Sequence, residues 1–163
     1  MNFEVFNGDA DGLCAMHQLR LAEPPSACVV TVTGVKRDIG LLARVSAAAE
    51  DRVTVCDVSL DANRSDLMRL LEAGAQVRWF DHHHAGALPD SPRLQAHIDE
   101  APDVCSALLV DRYLGGRHAR WAVTAAFGDN LVDVGLRYGE RLGLSPEVLA
   151  TLRALGENLN YNA

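Results

Sequence analysis

Four short apolar runs, at residues 3–6, 27–32, 52–56 and 76–80, are separated by stretches with a helical pattern. This alternation constrains the fold more than any other feature. The second run, Ala27-Cys28-Val29-Val30-Thr31-Val32, is β-branched and nearly continuous, as expected of a strand covered on both faces. After the first run, Leu13, Met16 and Leu19 share one helical face before Pro24-Pro25 stop the helix. Further helices are expected over residues 39–49 and 63–73, the latter closed by Gly74. Consecutive strand–helix–strand units cross over right-handed and build a parallel sheet. A loop with Pro89 and Pro92 leads to a possible short strand at 94–98. Beyond it the pattern is helical, over 104–114, 119–127, 131–142 and 146–155. Gly115-Gly116 reads as a turn between helices, and Ser145-Pro146-Glu147 as a helix start with Ser at the N-cap. The expected class is α/β, a parallel β-sheet flanked by helices, with a helical C-terminal part.

The chain has 163 residues, which favours one domain. Its formal net charge of −7 weakly disfavours a long nucleic-acid duplex, whose partners usually present a basic surface. Cys14, Cys28, Cys56 and Cys105 form no CxxC and read as small buried hydrophobes, which suits a reducing cytoplasm. The N-terminus has no signal-peptide pattern, and no apolar stretch is long enough to span a membrane. A cytoplasmic protein without membrane partners is expected.

In an open parallel sheet, ligands bind beyond the carboxyl ends of the strands. The first run is followed there by Asn7-Gly8-Asp9-Ala10-Asp11-Gly12, the third by Asp57, and the fourth by Asp81-His82-His83-His84. Three strands thus deliver carboxylates or imidazoles to one edge. Each piece has a plainer reading: Asp9 as a helix N-cap, Asp57 as a turn residue, the histidines as a solvated loop. Asp129, in Phe127-Gly128-Asp129-Asn130, reads by itself as a helix cap. Gly8 and Gly12 permit a tight backbone around the first motif. Carboxylates mixed with imidazole, without thiolates, suit Mn²⁺ or Co²⁺ better than Mg²⁺ and do not suit structural zinc. Lys36-Arg37, after the second run, are the nearest cations for a phosphate at this edge; their plainer reading is a solvated loop.

Asp9-Ala10-Asp11-Gly12, Asp57, Asp81-His82-His83 and Asp129 follow the order of the four motifs of DHH phosphoesterases. The chain resembles that family over residues 3 to about 130, and its first motif resembles the form found in RecJ-type single-strand exonucleases. Members with nanoRNase or cyclic-dinucleotide phosphodiesterase activity usually carry a histidine four residues before the first Asp, where this chain has Val5. Carried over residue by residue, the resemblance implies that Asp9 binds one metal. Asp11, His82 and Asp129 bind a second, and Asp57 bridges the two. His83 faces the substrate phosphate and Asp81 orients a histidine. His84 lies outside the motif and has no assigned role.

The family carries a further C-terminal domain that clamps the substrate. Residues 1–163 read as the DHH domain alone, so a truncated chain is expected. The resemblance implies a Mn²⁺-dependent hydrolase with two ions, Co²⁺ or Mg²⁺ being the alternatives. Its substrate is expected to be a phosphodiester in a nucleotide or short single-stranded nucleic acid. A phosphatase or pyrophosphatase acting on another phosphate-containing small molecule is the second reading. A catalytically degenerate domain that binds metal or nucleotide is the third, resting on Val5.

Overall fold

The computed structural model describes residues 1–25 and 28–163. Its strands are β1 (Asn2–Asn7), β2 (Val29–Gly34), β3 (Arg52–Cys56), β4 (Gln76–Asp81) and β5 (Leu94–Ile98). Its α-helices are α1 (Ala10–Ala22), α2 (Arg64–Glu72), α3 (Ser106–Tyr113), α4 (Ala119–Gly128), α5 (Val132–Arg141) and α6 (Pro146–Tyr161). All strand pairs are parallel, in the order β2-β1-β3-β4-β5. The chain leaves β1 to one side for β2 and returns to the other side for β3. The strand order therefore reverses beside β1, where such sheets open a crevice for ligands. The register pairs Phe6 with Cys56 and Cys56 with Phe80, so these three strands end level. Residues that follow them share one edge.

Side chains alternate across the sheet, as strand geometry requires. Phe3, Val5, Val53, Val55, Val77 and Trp79 face a core closed by Leu41, Leu42, Leu67 and Leu70. Phe6, Cys56 and Phe80 face the other core, filled from α1, α3 and α4 by Met16, Leu19, Leu108 and Ala122. Trp79 is fully buried, and its indole N–H donates to the Val58 carbonyl at 2.9 Å. Among the described residues, no helix is long and apolar enough to cross a membrane.

The structure corrects three expectations. The β-branched second run is not covered on both faces. It forms the edge strand β2, with only Val32 buried and Val30 exposed. The first residue expected in this strand, Ala27, lies outside the described residues. The helix expected over 39–49 is a single 3₁₀ turn, Leu41–Arg44, after which Val45 is extended. Side chains from α2 and the turn leading into it take the backbone groups a helix would have used. Asn63 donates to the Ile39 carbonyl at 2.6 Å and accepts from the Leu42 N–H at 3.2 Å. Arg69 donates to the carbonyls of Leu42 and Val45 at 3.2 and 3.1 Å. Tertiary hydrogen bonds and burial of Leu41, Leu42 and Val45 outweigh local helix propensity here. Finally, Cys28 is exposed, whereas Cys14, Cys56 and Cys105 are buried as expected.

The C-terminal helices pack on α1 and on one another through glycines. A Cβ on Gly128 would collide with Ala10 of α1 and the Gly156 carbonyl of α6, and a Cβ on Gly156 would meet the Thr124 carbonyl of α4. Both glycines are buried within helices. A helix propensity scale would rate Gly156→Ala as stabilising by roughly 1 kcal/mol. The collision with α4 backbone reverses the sign, and we expect a loss of about 1–3 kcal/mol in chemical denaturation. A stabilised variant would show that α6 does not rest on α4 at this contact.

Candidate metal centre

The turn from β1 into α1 is tight because no side chain fits there. A Cβ on Gly8 would strike the Gly34 carbonyl beside it, and one on Gly12 the backbone of Asn7. Neither glycine has a positive φ, so bulk and not backbone freedom excludes other residues. Asp9 is the N-cap of α1; its Oδ1 accepts the backbone N–H groups of Asp11 and Gly12 at 3.1 and 3.2 Å. The plainer reading of Asp9 is therefore satisfied by one of its oxygens. The other, Oδ2, lies 3.2 Å from the Lys36 ammonium.

Asp11 is buried in the first turn of α1. Its two oxygens accept the backbone N–H groups of Ser106 and Ala107, both at 2.7 Å, at the start of α3. Four residues that are distant in sequence then meet. Asp11 Oδ2, Asp57 Oδ1 and Asp129 Oδ2 lie 3.9, 3.5 and 3.8 Å from His82 Nε2. Asp57 follows β3 with φ 57°, a left-handed conformation that Asp and Asn tolerate better than most side chains. Its N–H still donates to the Phe80 carbonyl at 2.9 Å, so the sheet holds the turn in place. Asp129 is the C-cap of α4, followed by Asn130 at φ 63°.

His83 Nδ1 is 2.7 Å from Asp81 Oδ1, and Asp81 is fully buried. His84 is exposed and pairs with Glu100. Lys36 reaches the cluster through Asp9, whereas Arg37 is exposed on the same turn without an ion pair among the described residues. Sequence reasoning missed Ser106. Its backbone N–H holds Asp11 and its hydroxyl donates to Asp57 Oδ1 at 3.1 Å. A serine at a helix start was the available signal, and an expected helix beginning at 104 obscured it.

Atoms bound to one cation at about 2.0–2.2 Å lie about 3–4 Å from one another. Each of the three carboxylate oxygens has that spacing from His82 Nε2. Asp11, His82 and Asp129 form one group able to hold a metal ion, and Asp57, His82 and His83 another. Hard carboxylate oxygens combined with imidazole fit a divalent cation such as Mn²⁺, Co²⁺ or Mg²⁺. A cavity of about 950 Å³ lined by Asp111, Arg112 and Tyr138 shares no residue with this cluster.

The electrostatics point the same way. Burial and then the neighbouring Asp57 push the Asp11 carboxyl up, against the pull of the Ala107 N–H. Burial also pushes up Asp57, against its hydrogen bond to His82. Burial and the Asp11 charge raise Asp129 to about 6. Burial alone would lower His82, but the Asp57 hydrogen bond and the surrounding acids raise it to about 9. Negative charge is concentrated here beyond what the protein's own cations neutralise.

No family model and no curated protein matches this sequence. Solved structures do match, among them a DHH domain described as a member of a family of ribosomal proteins. It superposes with a TM-score of 0.70 over 99% of this chain, at 13% sequence identity. The chain has the fold of a DHH domain. It spans 47% of that longer neighbour. On this DHH fold, the carboxylates and imidazoles of the sequence motifs fall at the level edge of β1, β3 and β4.

Two outcomes follow. Asp129 and His82 hold protons more tightly folded than unfolded, so the stability they add is complete at low pH and lost as pH rises. For Asp129 the loss runs from about pH 4 to 6, and for His82 from about 6.5 to 9. Asp11 and Asp57 act in the same sense. Thermal melts of metal-free protein should therefore fall from pH 5 to pH 8, and added divalent cation should reverse the trend. A melt that rises across that range without metal would contradict these charges. Ser106→Ala should weaken divalent-cation binding about 10–100-fold by calorimetry with the far-UV spectrum unchanged, because it frees Asp57 to rotate. Wild-type affinity in that variant would remove Ser106 from the site.

Proposed function

We propose that this protein is a divalent-metal-dependent phosphoesterase that hydrolyses a phosphodiester in a nucleotide or short single-stranded nucleic acid. The observation that carries the reading is His82 Nε2 surrounded by Asp11, Asp57 and Asp129 within 3.5–3.9 Å, on a DHH fold. A net charge of −7 supports a short substrate over a long duplex.

Asp11, His82 and Asp129 would hold the cation, with Asp57 beside them 3.5 Å from His82 Nε2. When bound, it supplies a water acidic enough to attack at neutral pH and positive charge for the phosphoryl oxygens. The protein supplies the rest. The N–H groups at the start of α3 and the Ser106 hydroxyl hold Asp11 and Asp57 in position. Asp81 Oδ1 accepts a hydrogen bond from the His83 Nδ1–H, which leaves Nε2 as the free end of a half-exposed ring. That hydrogen bond also raises the basicity of His83. A protonated His83 is then placed to donate to the oxygen that leaves phosphorus. Lys36, tied to Asp9, brings a further positive charge toward the phosphate.

The test is hydrolysis of bis-p-nitrophenyl phosphate, a short single-stranded oligonucleotide and pyrophosphate, with Mn²⁺ and with EDTA. We expect metal-dependent cleavage of a diester. Asp57→Asn, which keeps a side chain tolerant of φ 57°, should lower the rate at least about 100-fold. Diester cleavage insensitive to EDTA or to this substitution would overturn the proposal, and cleavage of pyrophosphate alone would move the activity to phosphoanhydrides.

A further inference from the structure

We propose that the centre holds one divalent cation, and that the ammonium of Lys36 takes the electrostatic place of a second beside Asp9. The inference rests on the metal-dependent reading above and departs from the two-ion centre the sequence motifs imply.

Asp9 is the carboxylate that a second cation would need, and unlike Asp11 it already has a cation, the Lys36 ammonium, against one oxygen. Oδ1 caps α1 through the N–H groups of Asp11 and Gly12, and Oδ2 meets Lys36 Nζ at 3.2 Å. Asp9 belongs to neither group of residues able to hold a metal ion among the described residues. Those two groups share His82, which offers Nε2 toward the cluster, and a ring nitrogen has one lone pair for one cation. If His82 serves the ion held by Asp11 and Asp129, Asp57 and His83 are the only remaining members of the second group. Val5, four residues before Asp9, supplies no donor, because it is fully buried among apolar side chains in the core on the α2 side of the sheet.

Lys36 is held as a component of the site. Its backbone carbonyl accepts from the Asn7 side chain at 3.4 Å, at the end of β1. Its ammonium donates to Asn160 Oδ1 of α6 at 3.2 Å. These contacts come from two elements remote from the turn that carries the lysine. An ammonium has three donors. Asp9 and Asn160 take two, and the third is available for a phosphoryl oxygen. A fixed single charge would thus offset Asp9 and also contact the substrate, two tasks otherwise done by a second ion. The site would bind one metal and recognise phosphate without depending on a weaker second occupancy.

The test is Mn²⁺ titration of the protein, with free Mn²⁺ followed by its electron paramagnetic resonance signal and bound metal counted by equilibrium dialysis. One tight Mn²⁺ per chain is expected for wild type, with no spin coupling between bound ions. Lys36→Met should expose Asp9 and admit a second ion at least about tenfold more tightly than wild type does. Lys36→Arg, which keeps the charge, should hold the wild-type count and serves as the control for folding of the turn. Two ions of similar affinity in wild type, with a coupled spectrum, would overturn the proposal. If diester hydrolysis accompanied that result, the phosphoesterase reading would stand. A Lys36→Met protein with the wild-type count and affinities would overturn the role of the lysine. Absence of Mn²⁺ binding altogether would overturn this inference and the metal-dependent reading together.

Discussion

The structure turns on one buried carboxylate. Asp11 accepts two backbone N–H groups at the start of α3 while sitting in the first turn of α1. The two helices run from opposite ends of the chain's sheet-forming part, and their N-termini converge on a single side chain. A helix start presents unpaired N–H groups and partial positive charge, so it is a natural partner for an anion. Here the anion is internal. The bond fixes Ser106, Ser106 fixes Asp57, and Asp57 faces His82. Loss of the carboxylate would leave two buried N–H groups without partners, each costing about 1–3 kcal/mol.

The helical C-terminal part completes this arrangement by close packing. Asp129 reaches the cluster because α4 lies against α1 at Gly128 and Ala10, and α6 lies against α4 at Gly156. The same α6 carries Asn160 to Lys36. Small residues at these crossings set distances that no cap or loop could set, and they link packing directly to the placement of charge. The glycines of the first motif act likewise, by letting β1, β2 and α1 approach.

A folded chain that gathers Asp9, Asp11, Asp57, Asp81 and Asp129 at one edge works against its own electrostatics. Part of that cost is met internally by helix N–H groups, His82, His83 and Lys36. The remainder shows as carboxyls held above their ordinary range. Such a site would gain stability from a bound cation, which would couple metal affinity to folding and to proton release.

Much of this was legible in the sequence. Alternating strand-length runs and helical patterns determined the α/β class and the parallel sheet. A break of apolar pattern into Asp or His after three strands marked the edge where carboxylates and imidazoles gather. Gly74, Gly115-Gly116 and Ser145-Pro146 marked turns and caps through strictly local rules. These features are short-range, and neighbouring residues carry them. Tertiary structure decided the rest. It made β2 an edge strand, since strand order is a long-range property. It opened residues 39–49 out of a helix, since Asn63 and Arg69 arrive from a later element. It recruited Ser106, and it joined Lys36 to Asp9 and Asn160. Each of these depends on which distant group meets a backbone or a charge, and spacing along the chain does not carry that information.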